Sequence, residues 1–185
     1  MKKRFWLGLV AILAIFALAV PCVIADDIEL AKKSTVEDIL KRGELRVGFE
    51  AGYLPFEMAD KNGNFVGFDI DMAHLMADVM DVRLNVKTLP FGELLPALQR
   101  GDVDLVISNM TITPERNKKV AFVGPYLTSG KCLVSKNEQL ARAAEADHLN
   151  RPETRIAVLK GSTSERFVRT LLPKATVTTT DDVAS

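Results

Sequence analysis

The chain has 185 residues, 24 basic and 24 acidic side chains, and a formal net charge of zero. No basic patch or arginine-rich run occurs, so composition excludes an obvious nucleic-acid partner. Only two cysteines are present, and one of them lies in the N-terminal segment, which leaves no pair for a disulfide within an exported chain.

Residues 1–25 have the three parts of a secretory signal. Lys2, Lys3 and Arg4 are basic, residues 5–20 are apolar apart from one glycine, and the segment ends in small or apolar residues at Ala25. We therefore predict cleavage after Ala25 and a periplasmic location. The alternative is a retained membrane anchor, although the apolar run is shorter than the about 20 residues of a typical span.

The first half of the remaining chain predicts alternating strands and helices. Hydrophobic periodicity and turn residues mark each element, and an Asp-Lys-Asn-Gly run predicts a hairpin turn. The predicted elements are a helix over 36–42, a strand over 45–49, a hairpin of 56–59 with 65–67, a helix over 69–80 capped by Asp69, a strand over 82–86, a helix over 91–100 and a strand over 104–107.

The second half repeats the alternation after a change of composition. An apolar run at 131–135 predicts a strand in which Cys132 is a small buried residue, and the alanine-rich, charged segment 137–150 predicts a surface helix or connector. A strand over 155–159, a helix over 164–172 and a strand over 175–179 follow. Two such runs are typical of an α/β protein with two lobes and largely parallel sheets.

Polar side chains follow the predicted strand 104–107 at its end, where α/β sheets place their ligands. Ser108 and Thr111 carry hydroxyls, Asn109 carries an amide, and Arg116 carries a planar fork that matches a carboxylate. The segment therefore predicts a site for a small zwitterion. The alternative is an ordinary polar turn followed by a solvated arginine.

Five ordered motifs connect this segment to a known family. They are Gly-Phe-Glu-Ala-Gly-Tyr-Leu-Pro-Phe-Glu at 48–57, Val-Gly-Phe-Asp-Ile-Asp at 66–71, Leu-Leu-Pro-Ala-Leu at 94–98, Gly-Asp-Val-Asp at 101–104 and Met-Thr-Ile-Thr-Pro-Glu-Arg at 110–116. Together they resemble the family 3 extracellular solute-binding proteins, the polar-amino-acid receptors of ABC importers.

The resemblance implies a periplasmic-binding-protein type II fold, in which two α/β lobes joined by hinge strands close on a ligand. It implies a first lobe over 26–130, a hinge strand over 131–136 and a second lobe over 137–185. The family continues through further second-lobe segments and a late aspartate that this sequence does not contain, so we expect an incomplete second lobe, a C-terminal truncation and impaired binding. The resemblance also implies that the protein is a monomer that binds a polar amino acid without a cofactor. Its implied partners are the membrane subunits of an ABC permease.

The resemblance also implies roles for individual residues, each with a structural alternative. Arg116 would bind the ligand α-carboxylate, and Thr111 with a carbonyl near Ser108 or Asn109 would accept from the α-ammonium. Tyr53 and Phe91 would sandwich the ligand side chain, and the acidic residue Glu50 would lie near the distal end of that side chain. Ser162 and Thr163 would contact the ligand from the second lobe, at a helix N-terminus. The aromatic pair could instead belong to the core, and the two hydroxyl residues could be helix caps.

The site prediction contains no metal and no catalytic residue. His74 has no second histidine or cysteine at metal-ligand spacing, and Asp69 and Asp71 are expected to be caps and surface residues. We predict a binding protein. The alternatives are an enzyme on the same scaffold, similar to cyclohexadienyl dehydratases, with Glu50 as its acid or base, or the ligand-sensing domain of a larger receptor. Glu50 also favours a ligand with a basic or amide side chain.

Overall fold

The structure is a computed structural model that describes residues 34–143 and 145–183. The predicted signal segment lies outside these residues. The chain divides into two units, residues 1–38 and 39–185, and both α/β lobes belong to the second unit. Among the described residues, no helix is both long enough and apolar enough to cross a membrane.

The described elements alternate between strands and helices, as predicted. In chain order they are α1 (Thr35–Arg42), β1 (Glu44–Phe49), β2 (Met58–Ala59), β3 (Phe65–Val66), α2 (Phe68–Val79), β4 (Arg83–Thr88), a 3₁₀ turn (Phe91–Glu93), α3 (Leu94–Arg100), β5 (Leu105–Val106), α4 (Pro114–Asn117), α5 (Glu138–Ala141), α6 (Ala146–Leu149), β6 (Arg155–Leu159), α7 (Thr163–Leu171) and β7 (Thr176–Thr180).

The first sheet is parallel, with strand order β4-β1-β5. Val47 in the central strand is opposite Val86 on one side and Leu105 on the other. The apolar residues of β1 are buried, which suits the central position of this strand in the sheet. The apolar side of α2, including Ile70 and Ala73, packs in the same core. The three predicted strands of this sheet are confirmed, with ends that move by one or two residues.

The short strand β5 is held in place by a buried carboxylate just before it. The backbone N–H of Arg46 donates to Asp104 Oδ2 at 2.9 Å, and the Arg46 guanidinium donates to Oδ1 at 2.7 Å. Burial alone would raise the pKa of Asp104, but the hydrogen bonds from Arg46 and the charges of Arg46 and Arg42 outweigh it and lower the pKa. This ion pair sets the position from which the polar segment after β5 leaves the sheet.

The second lobe has a parallel pair, β6 and β7, connected through α7. Val158 of the first strand packs with Val168 of the helix and with Leu172 just beyond it. The predicted strands over 155–159 and 175–179 and the predicted helix over 164–172 are confirmed to within one residue.

Two predictions of local structure differ from the structure. Residues 131–135 form no strand, and both Cys132 and Val134 are exposed, so the expectation of a buried cysteine is wrong. An apolar run becomes a strand only when a neighbouring strand accepts its backbone hydrogen bonds, and this segment pairs with none of the described strands. The segment 137–150 contains two short helices with the undescribed residue 144 between them. The division of the chain into lobes at 131–136 stays a prediction.

Candidate functional site

The loops that follow β1 and β5 meet at one edge of the first sheet. Because the two strands are parallel neighbours, their carboxyl ends lie side by side. The backbone N–H of Glu50 donates to Ser108 Oγ at 3.0 Å, which joins the loops directly. The predicted position of the site at this edge therefore has a physical basis in the sheet order.

Arg116 lies at this edge in a defined position. It belongs to α4, whose N-cap Thr113 accepts a hydrogen bond from the Arg116 backbone N–H at 3.2 Å. The guanidinium donates to the carbonyl oxygens of Thr111 at 2.8 Å and Gly161 at 3.1 Å, and it lies 5.6 Å from the centre of the Phe91 ring. Burial, followed by the charge of Arg166, lowers the pKa of Arg116, which nevertheless remains a cation at neutral pH.

The N-terminus of α7 brings second-lobe residues to the same place. Ser162 is its N-cap and accepts from the Glu165 backbone N–H at 3.1 Å, while the hydroxyl oxygens of Thr111 and Thr163 are 3.2 Å apart. A cleft of about 460 Å³ opens here, which suits a small ligand. Its lining residues are Thr113, Glu115, Arg116, Gly161, Ser162, Thr163, Glu165, Arg166, Arg169 and Thr170.

Lys131 is a functional candidate that sequence reasoning missed. Its ammonium donates to Thr163 Oγ1 at 2.8 Å and to Ser164 Oγ at 3.2 Å, and burial together with the charge of Arg116 lowers its pKa. Two cations and the positive end of a helix thus converge, an arrangement that attracts an anion. Sequence alone presented Lys131 only as the first residue of an apolar run, and no local signal placed it near Arg116.

The two predicted aromatic residues occupy different surroundings. Phe91 is almost buried, with 8% of its surface exposed, and lies beneath the Arg116 guanidinium. Tyr53 is 40% exposed and stacks on Phe56 with ring centres 5.9 Å apart. The ring contacts of the described chain do not pair Tyr53 with Phe91, so the sandwich stays a prediction.

Glu50 and Ser108 are buried, whereas Asn109 is partly exposed, as Arg116 is. Glu50 is 2% exposed and accepts the Val183 backbone N–H at 3.2 Å. Burial is the main reason why its pKa is raised, with a smaller contribution from the negative charge of Asp182. Asn109 adopts a left-handed backbone conformation with φ 48°, and its N–H donates to the Tyr126 hydroxyl at 3.0 Å.

Asp69 is not the surface cap that its position in the sequence predicts. It is completely buried, the N-cap of α2 is Gly67, and no side chain caps that helix. Its carboxylate instead accepts from Tyr126 at 3.1 Å. The correction has a simple cause, because a residue in the first turn of a helix faces either water or the core depending on how the helix packs. Within the described ranges, no group of three histidine, cysteine, aspartate or glutamate residues could hold a metal ion.

Comparison with known proteins identifies the family of this chain. The sequence profile of the bacterial extracellular solute-binding proteins, family 3, matches residues 45–178. The chain belongs to this family. The predicted family and its α/β fold are therefore confirmed.

Relatives of this solute-binding protein include both binding proteins and an enzyme. A cyclohexadienyl dehydratase of Pseudomonas aeruginosa is 30% identical over 87% of the chain and 60% of its own length. An L-arginine-binding protein of the same species is 30% identical over 96% of the chain and 60% of its own length. The glutamine-binding protein GlnH of Bacillus subtilis is 32% identical over 96% of the chain and 66% of its own length.

Solved structures give the same picture. The ancestral amino-acid-binding protein AncCDT-1, described as a precursor of cyclohexadienyl dehydratase, is 43% identical with a TM-score of 0.78, over 82% of this chain and 66% of that one. A mutant of the arginine-binding protein of T. maritima is 35% identical with a TM-score of 0.75, over 82% of this chain and 65% of that chain. The chain thus spans about two thirds or less of the length of these proteins.

Proposed function

We propose that this solute-binding protein binds a polar amino acid through its α-carboxylate and delivers it to the membrane subunits of an ABC permease. The observation that carries the proposal is that the Arg116 guanidinium and the Lys131 ammonium both donate to residues 161–164 at the start of α7, beside a cleft that Arg116 lines. Arg116 offers a bidentate donor, and the ammonium of Lys131 with the first N–H groups of α7 adds positive charge. A carboxylate is the ligand group that this set matches.

The rest of the ligand is assigned to the edge formed by β1 and β5. Thr111 supplies a hydroxyl beside Arg116, and its Oγ1 is an acceptor for the α-ammonium. We assign Tyr53 and Phe91 to the ligand side chain and Glu50 to its distal end, where an acidic residue would favour a basic or amide group. Relatives named for binding arginine, histidine and glutamine support this ligand class.

The experiment is a calorimetric titration of the chain with L-arginine, L-lysine, L-histidine and L-glutamine, with L-glutamate as the amino acid of opposite charge. We expect at least one basic or amide ligand to bind, with the impaired affinity that the sequence predicts, and L-glutamate to bind at least about 100-fold more weakly. Decarboxylated arginine is the matched control for L-arginine, because it keeps the side chain and the amine but lacks the carboxylate. Equal affinity for the two compounds, or no binding by the four ligands, would contradict the proposal.

Export through an N-terminal signal belongs to the same proposal. The basic, apolar and small-residue parts of residues 1–25 predict a mature chain that starts at Asp26. Intact-mass analysis of protein from the periplasm of an expressing bacterium should give the mass of residues 26–185. Ala25→Arg, which places a large charged residue at the cleavage position, should retain the full-length mass, and a periplasmic chain beginning at Met1 would refute the predicted site.

An enzymatic role is the second candidate, and the similarity to a cyclohexadienyl dehydratase favours it. Glu50 is the acid that could serve such a reaction, since its burial favours the protonated form at the edge of the site. Incubation with hydroxylated cyclohexadiene carboxylates, followed by mass spectrometry for the combined loss of one water and one carbon dioxide, distinguishes the candidates. Turnover that disappears in Glu50→Gln would support the enzyme, and binding without turnover would support transport.

A further inference from the structure

A pair of buried carboxyl groups lies directly behind the Ser108–Asn109 turn. Glu57 precedes β2, and Asp69 lies in the first turn of α2; their side chains are 1% and 0% exposed. The side-chain amide of Asn109 contacts both carboxyl groups, so the two groups lie on the same side of the turn. Neither carboxyl group is among the residues assigned to the proposed amino-acid site.

Every donor that reaches the pair from the described chain is neutral. Ser108 Oγ donates to Glu57 Oε1 at 2.7 Å, and the Tyr126 hydroxyl donates to Asp69 Oδ2 at 3.1 Å. The Asn109 side-chain amide is 3.4 Å from an oxygen of each carboxyl group. The same two hydroxyls accept backbone N–H groups, from Glu50 and Asn109, so the single proton of each hydroxyl is directed at a carboxyl group.

The charges around the pair cannot balance two carboxylates. The titratable groups that face it are Glu50, from the end of β1, and Tyr126, from the segment after α4, and neither is a cation. Two buried negative charges without a cation are strongly disfavoured. In addition, Asp69 Oδ1 is a buried polar atom that has no hydrogen-bond partner in the described chain. One proton held between the two groups removes one charge and supplies the missing donor.

We propose that Glu57 is protonated at neutral pH, donates a hydrogen bond to Asp69, and as a neutral acid positions the Ser108–Asn109 turn for ligand binding. Burial raises the pKa of both carboxyl groups, and the proximity of Asp69 raises that of Glu57 further. Glu57 is a positioning residue, because it contacts the turn and not the ligand. The predicted effect of Glu57 on ligand binding rests on the proposed function, whereas the prediction of a shared proton is independent of that function.

The proposal predicts how stability depends on pH. The pKa of Glu57 is higher in the folded chain than in the unfolded chain, where it is about 4.3. The stabilisation of the folded chain by the Glu57 proton is therefore complete at a pH below the pKa of the unfolded chain. It is lost as the pH rises towards the pKa of the folded chain. Within that window this one proton lowers the ratio of folded to unfolded chain by about tenfold per pH unit. Glu57→Gln keeps a neutral donor and acceptor of the same shape and should remove this component.

Two measurements on the chain test the shared proton without any ligand. The first is infrared spectroscopy at pH 8, where the C=O stretch of a protonated carboxyl group is separate from the carboxylate bands. We expect this band in the unmodified chain, its loss or reduction in Glu57→Gln, and its retention in Glu153→Gln, which removes an exposed carboxyl group. The second is denaturant unfolding between pH 6 and pH 8, where the unmodified chain should lose about 100-fold more in its folded-to-unfolded ratio than Glu57→Gln.

A spectrum unchanged by Glu57→Gln, or an identical pH dependence of unfolding in the two chains, would overturn the proposal. If Glu57→Gln does not fold, a carbon-13 NMR titration of the Glu57 carboxyl carbon in the unmodified chain gives the same decision, since an ionised group at pH 7 refutes the assignment. The positioning role is tested by titrating L-arginine at pH 7 and pH 9, where the unmodified chain should lose more affinity than Glu57→Gln, and an equal loss refutes positioning. Failure to bind any amino acid would count against the proposed function and leave the infrared result intact.

Discussion

Replacement of Arg116 by alanine is expected to weaken binding of the preferred amino acid by at least about 100-fold. A hydrogen bond to a charged group contributes about 1.5–3 kcal/mol. The loss is larger when the partner charge stays buried and unpaired, about 3–5 kcal/mol. Arg116→Lys should restore little, because an ammonium cannot present the planar fork. Calorimetric titration of the three chains with the same ligand measures the effect.

The matched control is Arg166→Ala. Arg166 lines the same cleft, but its guanidinium is paired with Glu115 at 3.2 Å and is largely exposed, so its loss should change affinity by less than about threefold. Circular dichroism of each variant checks that the fold is retained. Affinity within about threefold of the unmodified chain for Arg116→Ala would exclude the carboxylate role.

Gly67→Ala is expected to lower the free energy of unfolding by roughly 3 kcal/mol or more. Gly67 has φ +131°, and a Cβ atom there would lie 2.2 Å from the carbonyl oxygen of Phe56 and 2.6 Å from its carbonyl carbon. Both neighbours are backbone atoms of the loop that leads into β2, so relief requires the chain to move rather than a side chain to rotate. Denaturant unfolding at neutral pH measures the change.

Gly63→Ala measures the cost of a positive φ angle in the absence of a steric clash. Gly63 also has a left-handed backbone, with φ +83°, but a Cβ atom added there would have no neighbour within 4 Å. The control should therefore lose only about 1 kcal/mol, which is the strain of the φ angle alone. Equal losses for the two variants would show that the contact between Gly67 and Phe56 has no special importance.

The sequence predicted the elements whose signals are local. The apolar residues of β1, the period of α2 and the turn before β3 identified these elements because periodicity and turn chemistry act over a few residues. The order of strands and helices then predicted an α/β fold with parallel sheets, and the five motifs identified the family. Arg116 and Thr111 could be proposed as neighbours because they lie five residues apart in the segment that follows β5.

Tertiary structure decided which segments pair and which side chains are buried. Residues 131–135 had the composition of a strand, yet no described strand offers them hydrogen bonds. Asp69 had the position of a surface cap, yet the packing of α2 encloses it with Glu57. Lys131 approaches Arg116 because the start of α7 contacts both side chains: Lys131 donates to Thr163, and Arg116 donates to the carbonyl oxygen of Gly161. Hydrophobic periodicity predicts a helix or strand from the residues of that element alone. Burial, proton sharing and the proximity of two cations depend on contacts between segments that are far apart in the chain.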